Sequence, residues 1–192
     1  MGQRVDKNGK AKNKEVVVVF CGTGGTNIPI PEAPLIRFMK RMINTNQYHF
    51  ICCGQLSGNE QMIQFNQEGV LNLIGKTSLK ELIAIINESD YMISSDTGPS
   101  HIASFLNKPI LFFSMLKPFP PTRWGPFSEY FKIVRKEHKC RCDGSQCLKS
   151  NCFQFLTEED IIKPFKELVL EKKEGVVVSE KKRSIRRLLG SL

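Results

Sequence analysis

The chain has 192 residues, 41% of them hydrophobic, which is enough for one domain with a sizeable core and too apolar for a disordered chain. No apolar run approaches the ~20 residues of a membrane span, and the polar start MGQRVDKNGKAKNKE is neither a secretory leader nor a myristoylation signal, since Asp6 stands where the latter needs Ser or Thr. The formal charge of +9 sits mainly in the tails: residues 1–15 carry +3 and residues 171–192 carry +4, which leaves the body at +2 and argues against a nucleic-acid groove.

Taken in order, the chain alternates strand and helix patterns. EVVVVFC (15–21) is a continuous β-branched run, the pattern of a strand buried on both faces. A loop, GTGGTNIPIP, leads to residues 32–44, where Leu35, Phe38, Met39 and Met42 recur at helical spacing. YHFICC (48–53) reads as the next strand, residues 59–67 as a short helix, and VLNLIG (70–75) as a short strand. Ser78 and Glu81 have capping-box spacing ahead of a helix with Leu82, Ile83 and Ile86, and Leu79 is expected to pack. YMISS (91–95) is a strand, Pro99 opens a helix to Leu106, and PILFFS (109–114) is another apolar strand. After a Pro-rich loop comes YFKIVR (130–135), then a Cys-bearing loop. Thr157 starts a last helix carrying Ile161, Ile162, Phe165, Leu168 and Val169.

Strands alternating with helices predict a parallel sheet covered on both faces, and six strands suit a single Rossmann-like, doubly wound α/β domain. The expected boundaries are a basic leader at 1–14, the folded domain at 15–172 and a basic tail at 173–192. The tail segment EKKRSIRRLL has the composition for weak attraction to an anionic membrane surface. Seven cysteines, an odd number without a leader, point to a reducing compartment, hence a cytoplasmic location or the inner face of the membrane. Cys21, Cys52 and Cys53 read as small buried hydrophobes. Cys140, Cys142, Cys147 and Cys152 could hold zinc as four thiolates, but the spacing lacks paired C-x2-C, so free thiols are the competing reading.

The most crowded polar stretch is Asp96-Thr97-Gly98-Pro99-Ser100-His101. Asp96 directly follows a strand, at the carboxyl rim where open parallel sheets bind ligands. Backbone N–H groups around Thr97, Gly98 and Ser100, at the positive end of a helix dipole, suit a phosphate. Gly98 permits close approach, and the Asp96 carboxylate is an acceptor for sugar hydroxyls. His101 can hydrogen-bond Asp96 or the phosphate. A capped turn with no ligand uses the same residues. Asp-Thr-Gly in an aspartic protease would need a second such loop and an all-β setting, which the helix after Pro99 opposes.

The stretch LIGKTSLKELIAIINESDYMISSDTGPSHIASFLNKPILFF (73–113) resembles the C-terminal half of glycosyltransferase family 9, the heptosyltransferases of lipopolysaccharide core assembly. The matching positions are Gly75 through Leu79, Asp96 through Pro99, His101, Ala103 and Pro109, with a fainter likeness over 15–170. The resemblance implies the C-terminal, donor-binding lobe of a two-lobe (GT-B type) enzyme. Such an enzyme transfers sugar with inversion from a nucleotide diphosphate sugar, ADP-heptose in type, without an obligatory metal or cofactor. It further implies donor contacts from Thr23, Gly24, Glu60, Lys76, Thr77, Asp96, Thr97, Gly98 and His101. The family's lysine in the first loop is missing here: Ile28, Pro29 and Ile30 precede Pro31. Only the polar leader precedes the first strand. The acceptor lobe and the catalytic base are therefore expected elsewhere, in cis or in trans, which makes this chain a fragment, a split subunit or a degenerate remnant. The alternatives are a nucleotide-sugar sensor or regulatory module, and a metal-dependent interaction module centred on Cys140–Cys152.

Overall fold

The computed structural model describes residues 14–22, 29–55, 68–114, 121–135 and 152–175. Six parallel strands form one sheet: β1 (Glu15–Phe20), β2 (Tyr48–Cys53), β3 (Val70–Asn72), β4 (Tyr91–Ser95), β5 (Ile110–Phe113) and β6 (Phe131–Val134). The spatial order is β3-β2-β1-β4-β5-β6. Winding reverses between β1 and β4, which pair in register from Val17 opposite Tyr91 to Val19 opposite Ile93. The expected doubly wound parallel sheet is therefore present.

The strands are apolar at consecutive positions because each face has its own cover. Val17 and Val19 of β1 point into one core, and Val18 points into the other. The same alternation runs through Tyr91, Met92 and Ile93 of β4 and through Ile110 to Phe113 of β5. On the first face lie α1 (Glu32–Asn44) and α5 (Glu159–Glu174), which meet where the Phe38 and Phe165 rings stand edge-to-face at 5.2 Å. Phe165 also contacts the rings of Tyr48 and Tyr91 at 5.4 and 5.5 Å. A 3-10 turn (Cys152–Phe155) adds Phe153 to this core. On the second face lie α2 (Leu79–Glu88), inserting Leu82 and Ile86, and α3 (Gly98–Phe105), inserting Ala103. A single turn, α4 (Pro121–Trp124), precedes β6.

Charged groups pin the amino edge of the sheet, opposite the carboxyl rim. The Asp90 carboxylate accepts the Val16 N–H at 2.9 Å and pairs with Lys172 of α5 at 3.3 Å. The Lys172 ammonium also lies 4.2 Å from the centre of the Tyr91 ring. Burial and the neighbouring Glu15 carboxylate raise the Tyr91 phenol above its ordinary range.

Several local expectations shift by up to three residues. Strand β3 stops at Asn72, because the Asn72 side chain accepts the Ile74 N–H and Gly75 turns the chain at φ +70°. Leu79 is 64% exposed rather than packed: it shares a helix face with Leu82 and Ile86, but at the first position of α2 it lies on the wall of a surface cleft rather than in the core. Gly98, not Pro99, is the first residue of α3, with Thr97 as the N-cap. The last helix begins at Glu159, and the Thr157 N–H and hydroxyl both donate to the Asp160 carboxylate, at 2.8 and 2.7 Å. The expected helix at 59–67, the basic leader up to residue 13 and the tail beyond residue 175 lie outside the described residues. Among the described residues no helix is long and apolar enough to cross a membrane.

Candidate functional site

A cleft of about 370 Å³ opens at the carboxyl ends of β1, β2 and β4, beside the point where winding reverses. Its walls are Gly22 and Gly54 at the ends of β1 and β2, Thr77 and Ser78 ahead of α2, and Thr97 and Gly98 at the start of α3. Crevices of this kind are where open α/β sheets bind ligands. A larger hollow of about 670 Å³ lies between β6 and α5, at the sheet's edge strand and away from the reversal.

Two glycines set the floor. Gly54 has φ +146°, and a Cβ there would lie 2.7 Å from the Gly22 backbone nitrogen. The strand ends after β1 and β2 thus touch main chain to main chain. Gly54 O also accepts the Gly75 N–H at 2.8 Å, tying the turn before α2 to the same floor. Beneath this contact sit the thiols of Cys52, in the first core, and Cys53, in the second. A hydrogen bond with Cys21 and burial raise the Cys52 thiol, and burial pushes Cys53 up to about 11, so both stay protonated and inert.

The α2 wall is set by a reciprocal cap. The Glu81 carboxylate accepts the Ser78 N–H at 2.8 Å and its hydroxyl at 2.7 Å, while Ser78 Oγ accepts the Glu81 N–H at 3.3 Å. These bonds, the Ser78 backbone first, hold the Glu81 carboxyl below its ordinary range. Thr77, immediately before this cap, lines the cleft. Lys76 is not in the lining; its ammonium turns back to Asn72 O at 3.3 Å.

The α3 wall divides its amides. Ser100 N–H returns to Thr97 O at 3.0 Å, and Thr97 N–H faces Ser100 Oγ at 3.5 Å. The Thr97 hydroxyl lies 3.0 Å from that of the fully buried Ser94 and 3.4 Å from Ser95 O. Of the three amides expected to face a ligand, the Gly98 N–H is the one with no hydrogen bond among the described residues. Gly98 is exposed, and a Cβ built on it meets nothing within 4 Å. The open face of α3 is therefore bare main chain at the positive end of the helix.

Beside this amide, Asp96 Oδ1 lies 3.5 Å from His101 Nε2. Burial raises the Asp96 carboxyl, and His101 works against that rise. Thr77, Thr97 and Gly98 of the expected donor set thus line one cleft, whereas Asp96, which directly precedes Thr97, its partner His101 and Lys76 are not in the lining. Thr23, Gly24 and Glu60 lie outside the described residues, as do Cys140, Cys142 and Cys147; Cys152 opens the 3-10 turn. Among the described residues no group of three or more His, Cys, Asp or Glu side chains could hold a metal ion. The sequence reading passed over Gly54 and Ser78 as lining residues. Their signals were available: a glycine ending an apolar strand, and a cap serine on the rim.

Comparison with known proteins adds to this geometry. The model of the family described as glycosyltransferase family 9 (heptosyltransferase) matches residues 5–152. Lipopolysaccharide heptosyltransferase 1 of Campylobacter coli is 27% identical over 166 residues, which cover 82% of this chain and 47% of that protein. Among solved structures, ADP-heptose lps heptosyltransferase II of E. coli aligns with a TM-score of 0.66 at 16% identity, over 87% of this chain and 50% of that one. E. coli heptosyltransferase WaaC with ADP aligns with a TM-score of 0.62 at 18% identity, over 81% and 44%. The chain thus spans about half the length of the relatives it matches.

Proposed function

The chain belongs to glycosyltransferase family 9, the heptosyltransferases, and on that premise we propose that it is the donor-binding lobe of an enzyme that moves a sugar from an ADP-linked donor to a lipopolysaccharide-type acceptor. The observation that carries this reading is the bare Gly98 amide, which opens α3 onto a cleft at the point where the sheet's winding reverses. Base and ribose occupy the cleft between Gly22, Gly54 and Thr77. The diphosphate meets the Gly98 N–H and the dipole of α3. Asp96 accepts hydrogen bonds from sugar hydroxyls, and His101 steadies its carboxylate.

In this reading an acceptor hydroxyl attacks the anomeric carbon, a base takes its proton, and the bond from that carbon to the diphosphate oxygen breaks. Charge grows on the departing diphosphate. A fixed amide and a helix terminus aimed there stabilise the transition state without reorganising. The base belongs to an acceptor lobe supplied in cis or in trans, like the remaining half of the relatives' length. The proposed domain is 15–172, flanked by a leader at 1–14 and a tail at 173–192 whose basic residues attract it weakly to an anionic membrane surface.

Titrating the isotope-labelled chain with ADP tests the reading. Amide signals of Thr97, Gly98 and His101 are expected to shift in a saturable way. Unchanged spectra at millimolar ADP would refute donor binding by this chain.

A further inference from the structure

Phe127 presents an aromatic ring to solvent from an anchored segment. It is 53% exposed, while its neighbours Pro126 and Ser128 are buried. The Phe127 N–H donates to Ser104 Oγ of α3 at 3.2 Å. Ser128 Oγ donates to Lys108 O and lies 3.1 Å from Tyr130 O, and Glu129 N–H donates to Asn107 Oδ1 at 2.7 Å. Three consecutive residues, Phe127 to Glu129, are thereby tied to α3 and to the residues that follow it, so hydrogen bonds of this segment help to set where the ring stands.

The ring lies beside the candidate site. Its centroid is 6.0 Å from that of the half-exposed His101 imidazole, with the planes inclined at 35°. His101 in turn meets Asp96 at 3.5 Å. Carboxylate, imidazole and phenyl ring therefore form one continuous edge. Phe105, at 92% exposure, is more open but stands at the far end of α3.

Polarity then assigns that edge. The cleft lies on the α2 side of α3, toward β1 and β2, and Phe127 stands toward β6. A nucleotide diphosphate sugar with its base in the cleft and its diphosphate at the Gly98 amide has its sugar directed past Asp96 toward Phe127. We propose that the Phe127 ring is the platform on which the donor's sugar ring rests, and so a determinant of binding to the sugar as distinct from the nucleotide. A pyranose offers a face of C–H bonds and an equator of hydroxyls. The negative face of an aromatic ring attracts the C–H bonds, and Asp96 takes the hydroxyls. This inference rests on the nucleotide-sugar reading above.

Calorimetric titration of the full chain with ADP and with ADP-glucose separates the two. Phe127→Ala should weaken ADP-glucose binding about fivefold more than ADP binding, the size expected for one lost aromatic contact. Phe127→Tyr should keep the wild-type ratio, and thermal melting should show both variants folded, since the side chain is half exposed. A Phe127→Ala variant whose two affinities change in parallel, or not at all, overturns the platform. So does a wild-type chain that binds ADP but gains nothing from the sugar. A wild-type chain that binds neither ligand overturns the nucleotide-sugar reading itself, and the platform with it.

Discussion

Gly54→Ala should damage the fold and the cleft together. Gly54 has φ +146°, a region L-residues rarely enter, and holding alanine there costs about 1–3 kcal/mol. The new Cβ would also sit 2.7 Å from the Gly22 backbone nitrogen, an atom that cannot swing aside as a flexible side chain can. Relieving such an overlap costs roughly another 1–3 kcal/mol. The two effects share one relaxation, a parting of the strand ends after β1 and β2, so they overlap and the expected loss is about 3 kcal/mol. For a domain of this size that lowers the melting temperature by about 6–12 °C. Gly54 O also holds the Gly75 N–H, so the shift passes to the turn that positions Thr77. Urea denaturation followed by far-ultraviolet circular dichroism measures the loss, and calorimetry on the folded fraction should show weakened ADP binding. A loss below about 1 kcal/mol with ADP affinity intact would refute the claim that these strand ends meet main chain to main chain.

Gly98→Ala should separate the two effects. The added methyl meets nothing within 4 Å, so stability should stay level or rise by up to about 1 kcal/mol, while ADP affinity, by titration, falls about tenfold as the methyl enters the ligand's space. Ser78→Ala removes the hydroxyl half of the reciprocal cap of α2 and should lower stability by about 1 kcal/mol in urea denaturation. Glu81 carries the matching pH dependence. Its folded-state carboxyl is held low, so its contribution is complete above the unfolded pKa and is lost as pH falls through the folded one. Glu81→Gln, which cannot ionise, should flatten this acid-side decline, whereas Ser78→Ala, which keeps the Ser78 N–H bond, should keep most of it, as stability measured from neutral pH to about pH 3 would show.

The sheet was legible because its strands are buried on both faces, which forces consecutive apolar residues such as Val16 to Val19 and Ile110 to Phe113. The helices were legible from apolar spacing, as in Leu35, Phe38, Met39 and Met42 of α1, all buried. Where polar side chains set local geometry, the reading slipped. Asn72 cut β3 short, and Leu79, at the first position of α2, lies on the cleft wall rather than in the core. The Asp96–His101 stretch drew notice through composition, but its amides could not be apportioned without knowing that Ser100 folds back on Thr97. The approach of Gly22 to Gly54 was out of reach from sequence. The two glycines are distant in the chain and meet only because Phe20 pairs with Cys53 in the sheet register. The place of Phe127 beside His101 is hidden for the same reason, since it depends on how the segment before β6 is tied to Ser104.

The basic residues and the candidate anion site are in different places. The described lining of the cleft holds no Lys or Arg, and Lys76, the nearest cation of the family motif, is spent on Asn72 O. The loop from Gly22 to Ile30, where the family's lysine was expected, contains no basic residue either. Among the described residues, attraction for a diphosphate then falls to a main-chain amide and a helix terminus, partial charges fixed in direction and short in range. Such groups discriminate by geometry. A methyl on Gly98 or a parted floor at Gly54 should therefore matter more to this site than the chain's whole formal charge of +9, most of which lies in its two tails.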